Sequence, residues 1–188
     1  MKGLRPIVKD VLLAVVVVVI GGAALAGAYK GYYRAAYPVK YIDTVLAQSE
    51  KNGLSPSLVY AVIRTESGFR PGVRSSVGAT GLMQITKDTF DWTQYRLGET
   101  PKPMDILYDG EENIKYGAAL LRLLIDEFGS VENALCAYHA GWGNVKRWLD
   151  NPDYAPDGYT ITRIPFGDTA RYVKKVLETR DMYERLYD

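Results

Sequence analysis

Glu66 closes an apolar run. Val59, Val62 and Ile63 precede it by seven, four and three positions, so all four share one helix face. Ser67-Gly68 then ends the run. Two effects disfavour a charge at the C-terminal end of a buried stripe. Apolar neighbours desolvate it, and the helix C-terminus presents partial negative charge. Both raise the pKa, toward an acid that keeps its proton near neutral pH, as general-acid catalysis requires. The competing reading is a solvated helix end, or an ion pair with Arg64 or Arg70.

The segments that follow carry a different chemistry. They read SSVGATGLMQI from Ser75, ALCAYHAGWGNV from Ala134 and IPFGDTARYV from Ile164. Breaking a glycosidic bond requires a proton on the leaving oxygen and stabilisation of an oxocarbenium-like centre. A sugar site also uses amides, hydroxyls and aromatic faces, with glycines where the chain must lie close to substrate. Ser75, Gln84, Thr86, Tyr138 and Tyr172 supply the polar groups, and Gly78, Gly81, Gly141 and Gly143 the open backbone. Met83 reads as core, since a methionine at helical spacing usually packs. Trp142 and Trp148 fit a groove or ordinary packing, while Tyr154 and Tyr159, in a Pro/Gly loop, are the better groove candidates.

Helices must position these groups, and their ends are marked. A helix is expected from about Tyr41 to Lys51, stopped by Asn52-Gly53, and a second from the Ser55-Pro56 cap to near Gly68. Residues 69–81 read as a loop, with a short helix from Thr86 and a second loop around Pro101 and Pro103. Asp109 and Glu112 open a helix that Gly129 closes, and Ser130 opens one that Gly141 closes. Residues 150–162 read as loop, Tyr159 to Ile164 as a short extended piece, and the segment from about Asp168 to the end as a last helix. The class is mainly α.

The 188 residues hold one domain and an appendage. Val11 to Ala28 is an eighteen-residue stretch without a charge, nearly long enough as a helix to cross a bilayer core, with Tyr29 at its edge. Residues 1–29 are expected to be a membrane anchor or uncleaved signal, 30–40 a juxtamembrane linker and 41–188 a catalytic domain. Ala24-Leu25-Ala26 resembles a signal-cleavage site, but the apolar run is longer than a usual signal core. Basic residues flank the run on both sides, so the positive-inside rule does not orient it. Export places the remaining chain outside the cytoplasm, on a single-pass anchor in the cell membrane. Residues 1–40 carry six Lys/Arg and one Asp, net +5, and residues 41–188 carry 17 Lys/Arg and 21 Asp/Glu, net −4. A mildly acidic domain is a poor partner for nucleic acid. One cysteine, Cys136, excludes an intrachain disulfide, and one Cys with one His is too few soft ligands for a zinc site. Cys136 and His139, three apart on a helix, are a conceivable nucleophile pair, although a lone apolar-flanked cysteine is usually core.

Four blocks stand in order: Glu66-Ser67-Gly68-Phe69, Gly81-Leu82-Met83-Gln84-Ile85, Ala137-Tyr138-His139-Ala140-Gly141, and Ile164-Pro165-Phe166 leading to Thr169 and Tyr172-Val173. Over residues 41–187 they resemble the catalytic domain of the soluble lytic transglycosylase family, similar in fold to goose-type lysozyme. The resemblance implies a lysozyme-like helical domain behind a single N-terminal transmembrane helix. It implies a peptidoglycan lytic transglycosylase needing no cofactor. Glu66 would be the single acid/base, cleaving between N-acetylmuramic acid and N-acetylglucosamine to leave a 1,6-anhydromuramoyl end. Ser75, Gln84, Thr86, Tyr138, His139 and Tyr172 would contact substrate, Tyr172 by approaching the acid/base. Asp88 and Asp91, the nearest candidates for a second carboxylate, match no catalytic position of the family. The chain departs from the family at His139, where asparagine is usual, at Asp168-Thr169-Ala170, where "ETR" is usual, and at Thr86, often methionine. Two other readings stay open: lysozyme-like hydrolysis, and a non-catalytic glycan-binding scaffold of an envelope machine.

Overall fold

The computed structural model describes residues 4–187, which divide into two units between Pro38 and Val39. The first is a single helix, α1 (Leu4–Ala36). Its stretch Val8–Ala36 has a mean hydropathy of 2.7 over its most apolar window, and is long and apolar enough to cross a membrane. The linker expected over residues 30–40 is helical as far as Ala36. Residues 30–36 contain no proline, and the break comes where Pro38 disfavours helical backbone at Tyr37.

The second unit is built from α2 (Ile42–Asn52), α3 (Pro56–Glu66), α4 (Lys87–Leu97), α5 (Gly110–Phe128), α6 (Val131–Ala140), α7 (Trp142–Leu149) and α8 (Gly167–Tyr187), with a 3₁₀ turn at Met104–Tyr108. The caps explain most boundaries. Ser55 accepts from the Leu58 N–H (3.2 Å), Asp109 from Glu111 and Glu112 (2.9 and 3.0 Å) and Ser130 from Asn133 (3.1 Å). Two elements depart from expectation. Trp142–Leu149 is a helix that its glycine-flanked sequence hides, and the stretch Tyr159 to Ile164 forms no strand. Asn133 instead ties that stretch down, donating to the Tyr159 carbonyl (2.7 Å) and accepting from the Ile161 N–H (3.3 Å).

Helix α5 is the buried axis of this unit. Ile114, Tyr116, Ala118, Leu121 and Leu124 are buried along it, and it packs on α2, α4 and α6. Helix α3 lies along α8, with Val59, Val62 and Ile63 fully buried on its inner side. Gly117 marks a close approach to the loop before α4. A Cβ there would stand 2.2 Å from Met83 Sδ, so a glycine is what admits the methionine into the core.

Candidate active site

Glu66 is the last residue of α3, and Ser67 caps the helix by donating from its backbone N–H and its hydroxyl to the Ile63 carbonyl (3.0 and 3.1 Å). Gly68 follows with φ +60°, turning the chain away. The carboxyl is therefore held at the edge of the α3–α8 seam. Tyr172, buried on α8, donates its hydroxyl to Glu66 Oε1 at 2.7 Å. Burial pushes the Glu66 pKa up to about 7, against the hydrogen bond from Tyr172 and the charge of Lys175, which both lower it. Lys175, one turn beyond Tyr172, escaped the sequence reading. Arg70, considered as an ion-pair partner, donates instead to the Ser67 carbonyl (2.8 Å).

Two phenols share the field of this carboxyl. Burial and the Glu66 charge hold Tyr138 and Tyr172 well above the ordinary tyrosine pKa, so both are neutral donors. Tyr138, on α6, donates to the Met83 carbonyl at 2.5 Å. His139, next on α6 and exposed, stacks on Tyr172 with ring centroids 4.5 Å apart, and its Nδ1 lies 3.0 Å from Thr169 Oγ1.

The loop between α3 and α4 folds into a small hairpin. Thr80 and Ile85 exchange backbone hydrogen bonds (3.0 and 3.1 Å), and Gly81 N–H donates to the Val73 carbonyl (2.9 Å). Gln84, at φ +49°, is inside this hairpin, and its Nε2 donates to the carbonyls of Val73 (3.1 Å) and Gly81 (2.9 Å). That leaves Oε1 as the acceptor the amide still offers. Ser75 Oγ accepts from Ala79 N–H (3.0 Å), keeping its own proton to donate. Thr86 also has a structural job. It is the N-cap of α4, accepting from Thr89 N–H (3.4 Å) and bonded to the Thr89 hydroxyl (2.9 Å).

Asn113 holds the hairpin to the core, and the sequence reading missed it. Fully buried on α5, it accepts from Met83 N–H (2.8 Å) and donates to the carbonyls of Thr80 (3.0 Å) and Leu107 (2.9 Å). Its signal was available: a polar amide one turn before Gly117 in an otherwise apolar stripe. Gly81 fits against it so closely that a Cβ would lie 2.0 Å from Asn113 Nδ2.

A cavity of about 320 Å³ opens beside Tyr138, walled by Trp92, Trp142, Leu120, Leu124, Asp88 and Thr89 among others. Trp92 was not singled out from the sequence. The ring of Trp142 is backed by Lys146, 5.0 Å from its centroid, and by Phe128 at 6.2 Å. Trp148 is core, packed edge-on against Phe166. Tyr154 carries Arg163 over its ring and, like the exposed Tyr159, is not part of this wall. Of the two nearby acids, Asp88 lines the cavity and Asp91 pairs with Lys87. Cys136 is buried, with its thiol pushed up to about 12, so it is a core residue and no nucleophile.

A carboxyl at a helix end, a phenol bonded to it and a glycine-rich hairpin thus come together in a helical domain. Residues 43–159 match the Transglycosylase SLT domain, and the chain belongs to that family. It is 34% identical over 167 residues to a soluble lytic murein transglycosylase of Salmonella typhimurium, covering 87% of this chain and 26% of the relative. A membrane-bound lytic murein transglycosylase C of Yersinia enterocolitica is 30% identical, covering 78% of this chain and 47% of the relative. The solved lytic transglycosylase Slt of Pseudomonas aeruginosa, an inactive glutamate-to-glutamine mutant, superposes with a TM-score of 0.71 at 33% identity, covering 81% of this chain and 25% of that one. The chain thus spans about a quarter of the soluble relatives it matches. Tyr172 lies beyond the matched domain, yet it is the residue bonded to Glu66.

Proposed function

We propose that this chain is a peptidoglycan lytic transglycosylase that cleaves the N-acetylmuramic acid–N-acetylglucosamine β-1,4 bond, with Glu66 as its single acid/base. The observation that carries the reading is the Glu66–Tyr172 pair: a carboxyl poised near neutrality whose neutral partner donates to it at 2.7 Å. Glu66 in its protonated form gives its proton to the leaving glycosidic oxygen. The resulting carboxylate, steadied by Tyr172, takes the proton of the muramoyl 6-hydroxyl as that oxygen bonds to its own anomeric carbon. Atoms balance without water, and the product ends in a 1,6-anhydro ring. Ser75, Gln84 and Tyr138 are the polar groups that orient the strand, and the Trp92–Trp142 cavity takes a sugar beside them. Thr86 supports the site as the α4 cap. A glutamate-to-glutamine change leaves the Pseudomonas relative inactive, in keeping with an indispensable glutamate. Helix α1 anchors the chain in the cell membrane with the catalytic unit on the cell-wall side, in keeping with a membrane-bound relative.

Asp88 on the cavity wall gives hydrolysis its one foothold, since a second carboxylate positions water in two-carboxylate glycosidases. Mass spectrometry of purified peptidoglycan treated with the full chain, in wild-type and Glu66→Gln forms, separates the readings. Anhydromuramoyl ends from wild type only are expected. Reducing muramoyl ends would assign hydrolysis, and glycan binding without cleavage would assign a scaffold.

A further inference from the structure

We infer that His139 acts on the reaction through Tyr172, as a positioning residue that keeps the phenol hydroxyl on Glu66; the inference rests on Glu66 being the acid/base. The hydroxyl of Tyr172 has one hydrogen bond described, the one to Glu66, so the direction of that bond depends on how the ring is held. One face of the ring lies against His139, at a centroid distance of 4.5 Å and an interplanar angle of 29°. The imidazole is itself fixed. Its Nδ1 bonds to the hydroxyl of Thr169, a buried residue three positions before Tyr172 on the same face of α8. Both contacts therefore run from α6 to one turn of α8, and together they clamp that turn. The Thr169 backbone N–H donates to Asp168 Oδ1 (2.8 Å) at the start of the helix, which completes the support.

This placement argues against His139 serving mainly as a sugar ligand. One nitrogen and one ring face are already used within the protein, leaving Nε2 and the outer face to solvent. The titratable and charged groups that act on Glu66 include Tyr172 and Lys175 from α8 and Tyr138 from α6, with His139 behind Tyr172. Loss of the imidazole frees the phenol to turn away, which weakens the bond that lowers the Glu66 pKa.

A double-mutant cycle on the full chain in detergent tests this, using purified peptidoglycan and scoring cleaved ends. His139→Ala is expected to lower kcat about three- to tenfold, the worth of a stacked ring pair, with KM nearly unchanged. In a Tyr172→Phe background the same change should cost nothing further. His139→Phe, which keeps the stack, should recover most of the rate. A rise in KM that persists in the Tyr172→Phe background would make His139 a substrate ligand and overturn the inference, as would no effect at all. A second readout needs no turnover: the midpoint of the Glu66 carboxyl followed by NMR on ¹³C-labelled glutamate. Tyr172→Phe should raise that midpoint when His139 is present and hardly move it when His139→Ala is also made. Equal shifts in both backgrounds refute the clamp, whatever end product the wild-type enzyme releases.

Discussion

The buried carboxyl at Glu66 costs stability, and the cost can be measured. Its ordinary value is 4.5 and its folded value about 7. A raised folded pKa means that the folded state holds its proton where the unfolded chain has already released it. Stability is then unaffected below about pH 4.5, falls as pH rises between the two values, and stays reduced above about pH 7. At 1.36 kcal/mol per unit, the full difference is about 3 kcal/mol. Glu66→Gln keeps the side-chain volume and an oxygen to accept the Tyr172 hydroxyl, and it removes the titration. The variant should therefore match wild type near pH 4 and exceed it by about 3 kcal/mol near pH 8, or about 6–12 °C in Tm for a domain of this size. It should also be nearly inactive. All three tryptophans, Trp92, Trp142 and Trp148, belong to the unit that carries Glu66, so their fluorescence in a urea titration of the full chain reports its unfolding. A stability difference that does not change with pH would refute the reasoning, because the gain would then come from packing and not from proton linkage. A difference that shrinks as pH rises would mean that Glu66 is an ion-paired carboxylate.

Asn113→Ala removes three buried hydrogen bonds to Met83, Thr80 and Leu107. It should cost about 3 kcal/mol in urea unfolding, and activity should fall with it as the hairpin bearing Gln84 comes loose. Trp142→Ala should raise KM for glycan strands about three- to tenfold with kcat little changed, read from initial rates over a range of peptidoglycan concentrations. Lys175→Met should raise the Glu66 pKa further, because the ammonium charge lowers it. The alkaline limb of the kcat profile should then move to higher pH, and an unmoved limb would show that Lys175 is screened from the site.

What could be read along the chain was whatever local chemistry decides. Ser55, Asp109 and Ser130 announced helix starts through side chains that bond two or three residues on, and Glu66 announced itself by standing where an apolar residue belonged. The membrane-length helix was equally plain, although its end was not. Nothing short of Pro38 interrupts helical backbone, so Tyr29 marked a change of polarity and not of structure. The elements that were missed depend on partners distant in sequence. Helix α7 begins in Trp142-Gly143-Asn144, weak helix formers, and Val145 and Trp148 are buried within it. Thr86 was legible as a polar neighbour of Gln84, but its task as the α4 N-cap shows only in the fold. Asn113 and Lys175 owe their importance to residues 30 and 109 positions away, Met83 and Glu66, and no periodicity reports such pairs.

The same α3–α8 seam that raises the acid also limits how far it rises. In the proposed role Glu66 first donates a proton and then accepts one, and such an acid works best with a pKa close to the working pH. Burial alone drives a carboxyl further than that, as buried glutamates with pKa values of about 8–9 demonstrate. Here α8 supplies the opposition from one face: Tyr172 bonds to the carboxylate, and Lys175, one turn on, adds positive charge. Both residues are positioned by the packing of Val173 and Val176, which are buried between and beside them, against the apolar side of α3. Val62 and Ile63 therefore have two functions. They desolvate Glu66 from its own helix, and they seat the helix that brings its counterweights. A cavity opened there, as by Ile63→Ala, would disturb desolvation and compensation together, so the seam cannot be loosened without also detuning the acid.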